Sequence, residues 1–163
     1  MKRVTIILCA LALVACGGSG SSPGAAAPDL TETHHCGYGF YLGDGDQTWA
    51  LKVTYRDFQA ARAGEVPRES ALPGDSWYAE LEAGQDLFAN WCDDVLEPDE
   101  PTPEIRAVWN VSGDVEMTGL PDPGECGPAT ANLTGLEARN DTGDVISLGD
   151  LDVENALWGC LAG

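Results

Sequence analysis

Turn-forming residues interrupt this chain so often that long helices have little room. Gly and Pro together account for 30 of the 163 residues. Between them, the clearest pattern is residues 47–57, "QTWALKVTYRD", in which Trp49, Leu51 and Val53 alternate with polar neighbours. A period of two is typical of a strand with one buried face. We therefore expect a fold built mainly from short strands.

Turn signals divide the rest of the chain into similar short segments. The predicted elements are hairpins over 37–57, 106–120 and 129–160, a strand over 77–82, and one helical turn near 58–62 within a long connection. Residues 84–92 are ambiguous, because their apolar spacing is helical but the run is too short to decide. About seven short strands and no long helix predict an all-β domain.

The expected architecture is a small antiparallel β-sandwich that is immunoglobulin-like and carries two disulfides. A strand count alone does not distinguish such a sandwich from a small barrel. The length allows one domain, which we place at residues 36–163. An apolar share of 44% is enough for a hydrophobic core.

The first residues have the pattern of a secretory signal. Lys2 and Arg3 precede the mostly apolar run 4–15, which ends at Cys16. This run is too short to span a bilayer, which takes about 20 residues. Residues 1–15 are therefore predicted to be a signal peptide.

The end of this signal, Leu13-Val14-Ala15-Cys16, resembles the lipobox of bacterial lipoproteins. In that family the cysteine receives a diacylglyceryl group by thioether linkage, and a peptidase then cuts just before it. The resemblance is confined to residues 1–22. It implies a protein held at the cell membrane or outer membrane through Cys16, with its domain outside the cytoplasm. The alternative is an ordinary signal peptide in which Cys16 is incidental.

Residues 16–35 are predicted to be the lipidated cysteine and a flexible tether. The stretch after Cys16 is rich in Gly, Ser, Ala and Pro and has no apolar periodicity. It would hold the domain away from the membrane surface.

The mature chain is strongly acidic. Without Lys2 and Arg3, 6 of the 8 basic residues remain against 27 acidic ones, a formal charge of −21. Nucleic-acid binding needs a basic footprint, so nucleic acid is excluded as a partner. Direct docking on anionic lipid is disfavoured for the same reason, which leaves the lipid anchor as the contact with the membrane.

Four cysteines remain after Cys9 leaves with the signal and Cys16 is lipidated. In an exported domain they are expected to form two disulfides, for which three pairings exist. A hairpin that turns at Thr142-Gly143 places Cys126 and Cys160 one position out of register, and one bulge, with Gly149 as a candidate, would align them. This register favours Cys126–Cys160 and leaves Cys36–Cys92.

The sequence contains no recognisable catalytic motif, and we predict that the protein is not an enzyme. The two histidines, His34 and His35, stand at the end of the tether, where no rigid frame would hold them near a nucleophile. Zinc binding by His34-His35-Cys36 is disfavoured, because three adjacent side chains do not readily converge on one ion.

Calcium is the one cofactor for which the sequence offers candidates. Carboxylate oxygens are suitable ligands, but no acidic run follows the EF-hand pattern. The acids near Asp44, Asp141 and Asp150 are equally explained by turns or a solvated strand face. The leading metal site is the acidic, proline-rich loop, with the candidate ligands Asp93, Asp94, Glu97, Asp99 and Glu100.

The five tryptophans allow two interpretations. Trp49, Trp77 and Trp109 fall on the apolar phase of alternating segments, which favours core packing. Exposed in a row, such rings would instead form a sugar-binding platform.

Taken together, these patterns predict a cell-envelope lipoprotein that presents an acidic β-sandwich as a non-catalytic binding or structural module. Its partner, a protein or a glycan, is not identified by the sequence. The alternative is a carbohydrate- or calcium-binding module, and a hydrolase is a distant third.

Overall fold

The computed structural model describes residues 26–92 and 101–160 of the chain. These residues form eight strands and one short helix. The strands are β1 (Glu32–His34), β2 (Gly39–Gly43), β3 (Trp49–Tyr55), β4 (Glu69–Leu72), β5 (Trp77–Gln85), β6 (Glu104–Gly119), β7 (Gly127–Arg139) and β8 (Val145–Trp158), and the helix is α1 (Phe58–Ala63). The predicted all-β class is confirmed.

All eight described strands belong to a single antiparallel sheet. Its path runs β1-β2-β3-β5-β6-β7-β8, and β4 pairs with β6 beside that path. The sheet curls until its two ends meet at a bridge between Gly37 and Cys160, so it is nearly closed into a barrel. The predicted immunoglobulin-like sandwich is not confirmed, because the long strands β6 to β8 continue around the core where short strands in two sheets were expected.

The core lies inside this curled sheet and follows the period-two pattern. Leu51, Val53 and Leu81 are completely buried, and Trp77 is 1% exposed. Burial of each such side chain contributes about 1.5–3 kcal/mol to folding. The opposite faces of the same strands point outward, and that outer surface carries the polar side chains discussed below.

The predicted helical turn is present as α1. The Asp57 side chain accepts a hydrogen bond from the Ala60 amide, which caps the first turn. The helix ends at Gly64 in the left-handed conformation that glycine adopts readily.

The predicted hairpin over 106–120 is wrong. The "SGD" sequence does not turn the chain back; it forms a bulge within the continuous strand β6. At Gly113, φ is +149°, and an added Cβ would lie 2.7 Å from the Thr134 carbonyl oxygen. Glycine is therefore needed here for a bulge within a strand. In the sequence, a glycine that permits a bulge resembles a glycine that permits a turn.

The hairpin formed by β7 and β8 is present, with a register shifted slightly from the expected one. Arg139 pairs with Val145, so the turn is centred on Thr142. The ladder is irregular near Gly149, where φ is +73°, and again between Ala129 and Ala131. Bulges thus bring the far ends of the two strands together, as the cysteine pairing required.

The structure contains the disulfides Cys126–Cys160 and Cys36–Cys92, the pairing that the hairpin register favours. Their Cα atoms lie 4.8 and 5.3 Å apart, respectively. Cys126–Cys160 joins the start of the hairpin to its end. Cys36–Cys92 joins the connection between β1 and β2 to the segment that follows β5.

The folded part begins before the expected boundary at Cys36. Glu32–His34 form β1, which pairs with β2, and Leu30 is 9% exposed. Strand β4 also forms, within the segment expected to be a long connection. Both strands are short and lack clear alternation in their sequence, so they form because neighbouring strands of the sheet pair with them.

Candidate functional site

Two sets of predicted site residues lie outside the described ranges. Cys16, the predicted lipidation site, precedes residue 26, and the candidate calcium ligands Asp93, Asp94, Glu97, Asp99 and Glu100 fall between residues 92 and 101. Lipidation and calcium binding therefore stay predictions. In the described ranges, no three His, Cys, Asp or Glu side chains cluster closely enough to hold a metal ion.

His34, His35 and Cys36 contact three different residues, Phe88, Leu157 and Cys92, respectively. The His34 ring stacks on Phe88 with centroids 3.5 Å apart. The His35 Nδ1 atom accepts a hydrogen bond of 3.1 Å from the Leu157 amide. Burial lowers the pKa of His34, although the nearby Glu32 carboxylate opposes this shift. Their roles in this structure are packing and edge hydrogen bonding.

All five tryptophans lie in the described ranges, and none is exposed. Trp77 and Trp158 are in the core, at 1% and 2% exposure. Trp49 and Trp109 pack against the core as a pair, with ring centroids 5.4 Å apart. Trp91 is also partly buried. The row of exposed rings that a sugar platform requires is therefore not formed.

Most of the other acidic residues noted in the sequence stabilise turns and bulges. The Asp44 carboxylate accepts hydrogen bonds from the amides of Thr48 and Trp49 at 2.7 and 2.9 Å. Although burial opposes the shift, these bonds and one from the Thr48 hydroxyl lower the pKa of Asp44. Asp150 accepts a bond of 2.7 Å from the Gly135 amide.

The outer surface of β2, β3 and β5 is covered by residues 86–92, which we call the strap, and we call the covered surface the strapped face. Leu87 and Phe88 are buried there, at 1% and 6% exposure, together with Ala50 and Tyr41. An added Cβ at Gly43 would lie 2.5 Å from the Phe88 ring, so glycine lets the strap approach the sheet closely. The Cys36–Cys92 disulfide holds the end of the strap.

A buried ion pair lies on the strapped face. The Lys52 Nζ atom on β3 is 2.8 Å from the Glu82 Oε2 atom on β5, and the two side chains are only 16% and 5% exposed. The Trp91 ring covers the lysine, with its centroid 4.9 Å from Nζ. A charge at this depth is stable only when it is paired.

The electrostatic environment of Glu82 favours its neutral form. Burial raises the pKa of Glu82, the Lys52 ammonium opposes that rise, and the neighbouring Glu80 carboxylate adds to it. Glu80 in turn accepts a 2.7 Å hydrogen bond from the Tyr78 hydroxyl, which raises the pKa of Tyr78. The Arg56 guanidinium lies over the Tyr78 ring at 4.3 Å.

The Lys52–Glu82 pair contains an acid and a base, but its two groups contact each other in the folded sheet. The Lys52 ammonium and the Glu82 carboxylate are paired with each other, and Trp91 of the strap lies over the lysine. A general acid or base must reach the proton that it transfers. The Lys52–Glu82 pair is therefore best described as a contact between β3 and β5 that Trp91 covers.

The outer surface of β6, β7 and β8 is different, and we call it the open face. Two of the grooves on it carry only acidic and neutral side chains, whereas a third, which shares Thr118 with the first, is lined by Arg68. The first is lined by Thr118, Thr130, Asn132, Asp152, Val153, Glu154 and Asn155, and the second by Glu69, Ser70, Asp114, Val115, Glu116 and Thr134. Neither lining contains a lysine or an arginine. Both grooves present carboxylates and hydroxyls to solvent, and the first also presents the side-chain amides of Asn132 and Asn155.

Elsewhere on the open face Glu137 is paired with Arg139, but the acidic side chains of these two grooves are poorly compensated. Glu69 on β4 lies directly opposite Glu116 on β6, an arrangement of like charges that destabilises a sheet. Asn132 donates a hydrogen bond of 3.3 Å to Glu116, and the Thr118 and Thr130 hydroxyls lie 2.8 Å apart. The face can therefore attract cationic groups and offer them hydrogen-bond acceptors.

Sequence reasoning missed both faces. Lys52, Glu80 and Glu82 follow the polar phase of their strands, which ordinarily indicates solvent. Nothing local shows that residues 86–92 fold back over them. The acidic residues of the open face were counted in the net charge, but their shared surface depends on pairings between distant strands.

Comparisons with protein-family models, with curated proteins and with solved structures find no match to this chain. Across residues 26–92 and 101–160, no helix is both long enough and apolar enough to span a membrane.

Proposed function

We propose that this chain is a bacterial cell-envelope lipoprotein that presents its acidic β domain as a non-catalytic binding module. Cys16 would be lipidated after removal of residues 1–15. The domain would then stand outside the cytoplasm at the end of a tether and engage a partner that carries cationic groups.

The export part of this proposal is supported by two independent features. The signal and the lipobox-like residues 13–16 stand in the required order. Both disulfides, 36–92 and 126–160, are formed, and such bonds persist in oxidising compartments outside the cytoplasm.

The observation that carries the binding role is the open face. Two of its grooves are lined with carboxylates, and no basic residue lines either of these two. Complementary charge speeds encounter with an oppositely charged partner and selects against like-charged ones. A surface with this charge pattern suits recognition of cations better than it suits recognition of anions.

The described residues favour binding over catalysis. Their one buried acid–base pair, Lys52–Glu82, is engaged internally and covered by Trp91. His34 and His35 are held by Phe88 and Leu157. Neither arrangement places a base next to an accessible nucleophile, which covalent catalysis requires.

Lipid labelling tests the anchor directly. Cells that express the chain are fed labelled palmitate, and the expected result is a labelled protein in the membrane fraction. Cys16→Ala should remove the label and release the protein. Cys9→Ala is the matched control and should leave both unchanged. A Cys16→Ala variant that stays labelled and membrane-bound would overturn the lipoprotein assignment.

The binding role has a separate test. The full chain, purified in detergent, should bind polylysine, and the binding should weaken steeply as salt rises. Glu116→Lys combined with Asp152→Lys reverses charge on the open face and should weaken it further. Glu65→Lys combined with Asp75→Lys gives the same net charge from exposed loop positions and should weaken it less. Equal losses would show that only the net charge matters.

A further inference from the structure

Within the described residues, strand β8 is paired along one edge and largely unpaired along the other. It pairs with β7 along its length. On its other side, the hydrogen bonds within the described residues lie at its C-terminal end, where Gly37 bridges Cys160 and the Leu157 amide donates to His35. No described strand pairs with that edge over residues 145–156.

An unpaired edge of this length is a template for another strand. Its amide and carbonyl groups need hydrogen-bond partners, and an extended peptide supplies them in register. Every step along the path from β1 to β8 is antiparallel, so β1 and β8 run in the same direction. A strand of opposite direction beside β8 would continue the alternation of the sheet.

The side chains at this edge indicate what such a strand should carry. Asp152 and Glu154 are exposed, share one face of β8, and line the groove that also contains Asn132. Alternate side chains of an extended peptide fall on one face of a sheet. Cationic side chains at every second position would therefore meet Asp152, Glu154 and the groove.

We infer that the free edge of β8 accepts an extended segment of another protein that has Lys or Arg at alternate positions. This inference rests on the proposed function and specifies its mode of binding. Main-chain hydrogen bonds would supply affinity, and the groove beside the edge would supply specificity for cations.

The two other occupants of this edge are disfavoured by charge. In a second copy, antiparallel pairing of β8 with β8 would bring Asp152 and Glu154 of both chains onto one sheet face, where like charges repel. The chain's own segment 17–31 contains no lysine or arginine to meet these carboxylates.

Two peptides of equal charge test the inference on the full chain in detergent. The first alternates Lys and Thr over about ten residues, and the second has its central Thr replaced by Pro, which removes a backbone donor and disrupts strand pairing. The first peptide should bind at least about tenfold more tightly. It should also slow amide hydrogen exchange in residues 146–156.

A charge-reversed pair of variants serves as the side-chain control. Asp152→Lys with Glu154→Lys should weaken the alternating peptide about tenfold, whereas Glu65→Lys with Asp75→Lys should change its affinity less than about twofold. Equal binding of both peptides would overturn strand addition and leave the acidic binding surface standing. Failure of both peptides and of polylysine would overturn both.

Hydrogen exchange of the free protein distinguishes the other occupants. Slow exchange in β8 that appears only as the protein dimerises would identify a second copy. In a monomer, slow exchange of the β8 amides that do not bond to β7 would identify a segment of the same chain. Either result overturns the inference.

Discussion

The strapped face and the open face belong to one sheet but are stabilised in different ways. The strapped face is covered by Leu87, Phe88 and Trp91 and held by a disulfide. The open face has polar grooves, one of which is lined by Asp152 and Glu154 on strand β8. Acidic side chains occur on both faces, yet on the strapped face Glu82 is paired with Lys52.

This contrast shows that the environment of a carboxylate determines its role more than its presence does. Under a strap, a carboxylate without a cation would be a buried charge, so a paired lysine is necessary. In solvent, an unpaired carboxylate costs little and is free to meet a partner. The net charge of the chain thus combines acidic groups that hold the fold with acidic groups that are available for binding.

Removal of Lys52 from the strapped face should have the largest effect on stability. Lys52→Met leaves Glu82 buried without a counter-charge, and it should lower the free energy of unfolding by about 3–5 kcal/mol at pH 7. Because protonated Glu82 carries no charge, the loss should shrink as the pH falls. Denaturant unfolding at several pH values measures both effects.

A second variant controls for lost packing. Lys52→Met combined with Glu82→Leu removes both charges and should recover most of the lost stability. If the double variant is as unstable as Lys52→Met at every pH, the buried charge is not the cause.

Removal of the strap disulfide should come next. Cys36→Ser with Cys92→Ser should cost about 2–4 kcal/mol and selectively speed hydrogen exchange in residues 86–92. Cys126→Ser with Cys160→Ser is the matched comparison. The two bonds span 56 and 34 residues, so chain entropy alone predicts a difference of only about 0.4 kcal/mol. Equal exchange of the strap in both variants would contradict its dependence on Cys36–Cys92.

The stack of His34 on Phe88 should make a smaller and pH-dependent contribution. Burial lowers the pKa of His34 in the folded chain. As the pH falls below 6.5, the ordinary pKa of histidine, His34 is therefore protonated more readily in the unfolded chain than in the folded chain. The free energy of unfolding should fall as the pH drops through 6.5, and it should level off once both states are protonated.

Two variants separate the ring from its titration. His34→Ala should cost about 0.5–1.5 kcal/mol through the lost aromatic contact. His34→Phe keeps a ring and should remove this part of the pH dependence, measured by thermal melts between about pH 5 and 8. An unchanged profile in His34→Phe would assign the pH dependence to other groups.

The smallest effect is expected on the open face. Glu69→Lys replaces a like-charge pair with Glu116 by an opposite-charge pair, and it should raise the free energy of unfolding by about 0.5 kcal/mol. High salt should erase the gain. Glu65 has no carboxylate opposite it on a neighbouring strand, so Glu65→Lys should change the free energy of unfolding by close to zero. A gain of the same size in both variants would show relief of general repulsion alone.

The sequence predicted those features that depend on neighbouring residues. The alternation of Trp49, Leu51 and Val53 indicates β3, and the turn at Thr142-Gly143 indicates the hairpin whose register favours Cys126–Cys160. The errors arose where distant strands decide the outcome. Gly113 was interpreted as a turn because a bulge and a turn use the same residue type, and only the approach of Thr134 distinguishes them.

The strapped and open faces could not be predicted for the same reason. Lys52 and Glu82 are distant in sequence and meet because β3 lies beside β5. Glu69 and Glu116 meet because β4 pairs with β6 outside the main strand path. A local pattern identifies which side chains point outward, and the topology decides which of them share a surface.

The position of Cys36 has a mechanical consequence. A pulling force applied ahead of β1 would first peel Glu32–His34 from β2, a separation of a few hydrogen bonds. The load would then reach Cys36, and from there the covalent link to Cys92 would carry it past β2, β3 and most of the strap. Between these cysteines the chain cannot be extended by tension. Strand β1 is thus the one described strand that lies ahead of this covalent shortcut, and it would yield first.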